Sequence, residues 1–466
     1  MSLTGGVPVV SAAPTQVAIA EAIRDLDADH DSAVRAAQVL QGGGAAAATA
    51  IRDAWRSLSL LGQRRAIGPL SQLAIRHDAA IEALVAAARS ENEQVRTLGL
   101  AALRRSGVGR REGLVVLLAD PSVGDQAASL LAHTDPNFAI EPLLRALARE
   151  GGADRRGLRI ALTVAVQRAD QPQQELAAWL RTKPPTAAVA SAALGFSGLE
   201  AHRDMASAFI EYALSDASDF PTKWRLLLSA ETAGRSEVVD QWVRQQLDGP
   251  EEWMLRQAAV DAITARGYRE AARVSLSDAY PRVRSRAAMA LSGDSDTLVE
   301  RATLARRDTW PLVRADAVSS LRAEADAIPV IVAAVDDSMS VVRAVAIDAL
   351  SASSHDEGWE RIHARLRARN EWPQVTEAAI GYVVAHCRTD AVDALLRLVV
   401  RATPSNALTD DLNNAARAIE ALRALGTPEA NAAVEQLRNT EGVPPTLKMA
   451  LEQPLPKDGG CGSSGR

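Results

Sequence analysis

The chain has 466 residues and a net charge of −6; 47% of its residues are hydrophobic but only 3% aromatic. An interior built mostly from alanine, leucine and valine favours helix over sheet. An acidic chain with four lysines (Lys183, Lys223, Lys448 and Lys457) argues against a broad phosphate-binding face, and so against nucleic acid as a partner. No apolar run reaches the roughly 18 residues that a membrane helix needs.

Residues 1–14 read as a flexible segment. The A-x-A-like stretch at Ser11–Ala13 follows no positively charged region, so the cytoplasm is the default location, with a processed export signal as the alternative. From residue 15 to 442 the pattern is helical throughout. "LQGGGAAAAT" at 40–49 predicts an elongated inter-helix loop running into an alanine-rich helix, and "RTKPPT" at 181–186 predicts a bend, because neither proline continues a helix. Residues 443–466 read as a short cap followed by a disordered tail. Cys387 falls in a predicted helix as a small core residue, and Cys461 lies in the glycine-rich tail. So distant a pair suggests neither a disulfide framework nor a zinc site.

A repeat runs through this helical region. Val-Arg or Leu-Arg pairs stand at Val95-Arg96, Leu255-Arg256, Val283-Arg284, Val313-Arg314 and Val342-Arg343, the last four arginines being 28, 30 and 29 residues apart. Each pair leads into an alanine-rich run ending in Leu or Ile, such as "ADAVSSL", and follows another amphipathic stretch, such as "AIPVIVAAVDD". A unit of about 30 residues is therefore two short antiparallel helices, A then B, with the arginine in the first turn of B. Such a pair cannot bury its apolar face alone, so about thirteen units must stack into an all-α solenoid. The count is least defined between 105 and 250, where the pattern decays.

The motif Asp-x-x-Pro-x-Val-Arg-x-x-Ala-x-x-Ala-Leu, clearest at Asp278–Leu291 and Asp308–Leu321, resembles the HEAT repeat, in particular its short bacterial, phycobilisome-lyase-like variety. The resemblance covers most of the chain. It implies an α-α superhelix and, since members mostly act as protein-binding superhelices, a non-enzymatic scaffold for a protein or peptide partner. Two enzymatic alternatives attach to HEAT-like proteins: a glycosylase acting on alkylated DNA bases, and a bilin lyase.

Two regularities carry the candidate sites. Asp278, Asp308 and Asp337 each precede an arginine by six residues: Arg284, Arg314 and Arg343. The carboxylate suits the free N–H groups that open helix B, and the arginine can reach the carboxylate of its own or the adjacent turn. A ladder of such pairs would tie unit to unit. Second, an aromatic precedes proline at Phe220, Tyr280, Trp310 and Trp372, at near multiples of the repeat, and Met339 fills the same position between the last two. Proline suits the first turn of helix B. The residue before it is either a hydrophobic staple folded onto that helix or part of an exposed strip that binds a partner.

Catalytic patterns are absent. The seven histidines form no H-E-x-x-H, and His355 and His363, on one face of a predicted helix, stand about 12 Å apart along it. "HRD" at His202 lacks every other element of a kinase. No cofactor, metal or catalytic residue is implied.

Overall fold

Alanine and leucine in the repeat favour helix, and the turns punctuate it. Thr15, Asp29, Ser59, Asp135, Asp219 and Thr427 cap helices by accepting an N–H two or three residues into the helix. Proline opens many others, including Pro281–Ala290, Pro311–Ser320 and Pro373–Ala385. The computed structural model describes residues 13–104, 108–248, 252–353, 356–403, 407–452 and 461. Residues 1–12, with the export-like stretch, and most of the tail after 452 lie outside the described residues, as does His355.

Among the described residues there are twenty-eight α-helices and no strand. They alternate between an A layer and a B layer, one pair more than the thirteen anticipated, because Pro445–Glu452 packs as a B helix on Thr409–Leu425 where only a cap was expected. The chain divides into two compact units, residues 1–242 and 243–466.

In the first unit the B layer runs His30–Gly42, Leu60–Leu73, Glu93–Arg104, Gly124–Thr134, Arg156–Arg168, Thr186–Phe196 and Phe220–Ala230, each packed on the next. In the second it runs Trp253–Ala265, Pro281–Ala290, Pro311–Ser320, Ser340–Ser351, Pro373–Ala385, Thr409–Leu425 and Pro445–Glu452. B helices bury residues on several sides at once. Ala188, Val189, Ala190, Ala192, Ala193 and Phe196 are all inaccessible in one helix, because neighbours flank it along the row and the A layer covers its back. Alanine permits this spacing. At Gly99 even a methyl group is too much, since a Cβ there would lie 2.7 Å from the Ala88 amide nitrogen of the partner A helix.

Two sequence expectations change here. The 40–49 segment is not an elongated loop: His30–Gly42 and Gly44–Ala54 are joined by Gly43 alone. Gly44 has φ +53°, and a Cβ on Gly43 would lie 2.6 Å from that of Ala47, so glycines make a corner as tight as this possible. The division between units falls between Trp242 and Val243. The 181–186 segment joins Pro172–Arg181 to Thr186–Phe196 within the first unit, with Lys183 in the left-handed region. Finally, Cys387 is not a helical core residue. It lies beyond the end of Pro373–Ala385 at φ +50° and forms a disulfide with Cys461, the two Cα atoms 5.5 Å apart. The sequence rule failed because it weighs proximity along the chain, whereas the two cysteines stand 74 residues apart.

Candidate partner-binding surface

Three turns between A and B helices in the second unit are copies of one another, and a fourth, before Pro373–Ala385, is a variant with its acid one residue nearer the helix. In the turn before Pro281–Ala290, an oxygen of Asp278 accepts the Tyr280 N–H at 2.7 Å, and both its oxygens accept the guanidinium of Arg256 from the preceding repeat, at 2.7 and 2.9 Å. Asp308 does the same with the Trp310 N–H (2.9 Å) and Arg284 (2.8 and 3.0 Å). Asp337 repeats it with the Met339 N–H (2.8 Å) and Arg314 (2.8 Å to each oxygen). Glu371 takes the Trp372 N–H and Arg343. The third nitrogen of Arg284, Arg314 and Arg343 donates to the carbonyl of the acid in its own turn, each at 2.8 Å.

Each arginine therefore binds its own turn through the backbone and the next turn through the carboxylate, which resolves the choice the sequence left open. The ladder ends where Thr376 replaces arginine. Burial raises the Asp278 and Asp337 carboxyls, but the arginine and amide hydrogen bonds outweigh it and hold both below the usual range.

Arg301 adds a tie that no motif announced. Fully buried, it reaches the Asp294 and Ser320 carbonyls at 2.7 Å and the Glu324 carboxylate at 2.9 Å. Its only sequence signal is an arginine on the apolar face of a helix.

With their amides held from behind, Tyr280, Trp310 and Met339 share one backbone conformation, φ −94 to −99° and ψ 121–129°, while Trp372 is at φ −70° and ψ 142°. Their side chains point outward. Tyr280 is 37% exposed, Met339 44%, Trp310 55% and Trp372 60%, and Leu312 beside Trp310 is 64%. A stapled residue would be buried. Tyr280 stacks on Trp253 of the preceding B helix at 4.6 Å, so that end of the row is a two-ring platform.

Phe220, the fifth candidate, lies in the first unit. It is half-buried and stacks at 6.0 Å on Trp224, one turn along its own helix. The structure thus gathers four of the five candidates on equivalent turns of one unit.

Other groups do less. Trp359 stacks between His363 (4.8 Å) and Tyr382 (5.8 Å), with His386 on Tyr382 at 4.1 Å. This buried column joins repeats, and desolvation and the Asp356 charge push the Tyr382 phenol up to about 12. Among the described residues no three His, Cys, Asp or Glu side chains are grouped to hold a metal ion, and no helix is long and apolar enough to cross a membrane. Two cavities of about 240 and 570 Å³ open on the B layer of the first unit and meet at Ala101. The smaller is lined by Arg64, Ile67, Ser71 and Leu98, the larger by Leu100, Arg104, Asp125, Ser129 and Leu130.

No protein-family model and no curated protein matches the chain. Among solved structures, it is similar to Kap95p in a study of RanGDP switch loops and nuclear import complex assembly, at 12% identity and TM-score 0.49, covering 94% of this chain and 81% of that one. It is also similar to the Kap95:Nup1 complex, at 12% identity and TM-score 0.47, covering 91% and 63%. A third similarity is to importin beta in an ammonium sulfate condition, at 10% identity and TM-score 0.35, covering 94% and 62%. Similarity at this level assigns no family; on the evidence of its own stacked helix pairs, the chain is an all-α helical-repeat protein.

Proposed function

We propose that the protein is a non-enzymatic scaffold that binds a protein or peptide partner along the turn ridge of its second unit, through Tyr280, Trp310, Met339 and Trp372. One observation carries the reading: the three exposed aromatic residues among those described, Tyr280, Trp310 and Trp372, all occupy the same position of the repeat. Aromatic anchors dominate binding energy at interfaces. The Asp–Arg ladder beneath them holds the ridge in place before binding, which reduces the ordering cost of association. The short bacterial subtype rests on the repeat motif alone. The Cys387–Cys461 cross-link favours the exported alternative over the cytoplasm, since such bonds persist in oxidising compartments.

The test is affinity capture with the full chain and with the Trp310→Ala/Trp372→Ala variant. Loss of the captured partner, with unchanged circular dichroism and melting temperature, supports the ridge. Full capture by the variant sinks it, and a melting temperature lowered by several degrees assigns the tryptophans to the fold.

A further inference from the structure

The charge beside the ridge identifies its ligand more closely. Immediately before the Trp310 turn stand Arg306 and Arg307, and before the Trp372 turn Arg367 and Arg369; all four are exposed and none has a carboxylate partner among the described residues. Every carboxylate of these turns is already engaged: Asp278, Asp308, Asp337 and Glu371 by ladder arginines, and Asp336 by Arg361 and Arg365. The positive charge is felt nearby. Burial lowers the Arg401 guanidinium from its ordinary value, and Arg369 and Arg397 add to that shift while Asp411 opposes it. Placement at helix C-termini suits the helix dipole, but it leaves these four side chains in solvent with their charge uncompensated.

The spacing matters as much as the sign. These four arginines form two pairs, two repeats apart; Arg282 beside Tyr280, also without a carboxylate among the described residues, lies over the Trp253 ring instead, at 5.4 Å. At the Met339 turn between the two pairs the corresponding residue is Asp336, so no guanidinium is left free there. Packed helices lie about 8–10 Å apart, which puts the two pairs roughly 16–20 Å apart. An extended chain rises about 3.3 Å per residue, so about five or six residues span the gap.

We propose that the segment seated on this ridge is an extended acidic peptide, its carboxylates meeting the arginine pairs beside Trp310 and Trp372 and its apolar side chains lying on Trp310, Met339 and Trp372. This rests on the ridge being the partner-binding surface and adds the chemistry of the partner. A single-stranded nucleic acid also joins stacking to negative charge, but it carries a charge at every step of about 3.4 Å. It would place phosphates against Met339 and Asp336, where nothing free receives them. A peptide can put its charges at the two ends and its apolar residues between them.

The test is fluorescence anisotropy with the full chain and a labelled synthetic peptide bearing two glutamate pairs about six residues apart, with leucine and proline between them. Comparison probes replace the glutamates with glutamine or lysine, and a fourth probe is an oligothymidylate of similar contour length. Exposed ion pairs contribute little singly, so the glutamate peptide is expected to bind about tenfold tighter than the glutamine one at low salt. That advantage should collapse near about 0.5 M salt. Arg306→Ser/Arg307→Ser should lower affinity for the glutamate peptide towards that of the glutamine peptide and leave the latter unchanged. Trp310→Ala/Trp372→Ala should weaken both.

Equal binding of the glutamate and glutamine probes, tighter binding of the lysine probe, or no measurable peptide binding overturns the acidic assignment while leaving partner capture on the ridge to stand or fall separately. Tighter binding of the oligothymidylate assigns the ridge to nucleic acid instead. Undiminished glutamate-peptide binding by the tryptophan variant removes the ridge from the interaction altogether.

Discussion

The two units are written in the same repeat and use it differently. In the second unit the arginine keeps both attachments, to the carbonyl of its own turn and to the carboxylate of the next. In the first unit the double attachment is not kept in register: Arg96 donates to the Ser90 carbonyl at 3.1 Å and Arg159 to that of Ala153 at 3.0 Å without a carboxylate, while Arg225 takes the Asp154 carboxylate of an earlier turn. Aromatic residues follow the same division. In the first unit none is exposed, and Trp179, Phe196 and Phe209 form a buried cluster with centroids 5.0 and 5.8 Å apart. In the second, Trp310 and Trp372 stand in solvent. Alanines such as Ala287, Ala288, Ala317 and Ala346 fill the gaps between the second unit's B helices as Ala188 and Ala192 do in the first, but the rings at its ladder turns stand at the surface while Trp359 and Tyr382, beyond the last rung, are buried.

That contrast can be broken first at the ladder. Arg314→Ala leaves the mostly buried Asp337 carboxylate without its partner and is expected to destabilise the second unit by about 3–5 kcal/mol. Arg96→Ala loses charged hydrogen bonds to carbonyls only and should cost the first unit about 1.5–3 kcal/mol. A double-mutant cycle in urea should show strong coupling of Arg314 to Asp337 and much weaker coupling to Asp308, whose carboxylate serves Arg284. The reverse order would mean that each turn is self-contained.

The disulfide is the next largest effect. Closing a 74-residue loop restricts the unfolded second unit, and reduction is expected to remove about 2–4 kcal/mol from it alone. Calorimetry with and without reductant should shift one transition; a shift in both would deny the units their independence.

The smallest effect is in acid. The folded-state values of Asp278 and Asp337 lie below their unfolded values, so as pH falls through this range the unfolded chain binds more protons. The stability these groups add is full above the unfolded carboxylate value of about 3.9 and is lost as pH drops through the folded one. Hydrogen exchange below about pH 4 should therefore accelerate at the Tyr280 and Met339 amides, which the two carboxylates hold, before it does at Ser191 or Ala192 in the first unit. Simultaneous loss would show that the rungs do not limit acid stability.

Much of this was legible beforehand, for local reasons. The spacing of Arg256, Arg284, Arg314 and Arg343 announced the period, the aspartates announced the turns, and Trp310-Pro311 announced where helix B begins. The candidate row was legible as a list of positions but not as a surface, since Trp310 before Pro311 reads equally well as a staple or as an exposed ring. The Gly43 corner was misread because glycine runs look alike in loops and in tight junctions. Arg301 gave no warning because buried arginines are rare and have no motif.

By itself the sequence determined the helices, their pairing and the repeat, because these depend on propensities and spacings within about 30 residues. Only the tertiary structure decided which carboxylate each arginine takes, which aromatics face solvent, and that Cys461 reaches Cys387. Each of those outcomes depends on how one repeat stacks on the next, and stacking places side by side groups that the chain itself keeps more than twenty residues apart.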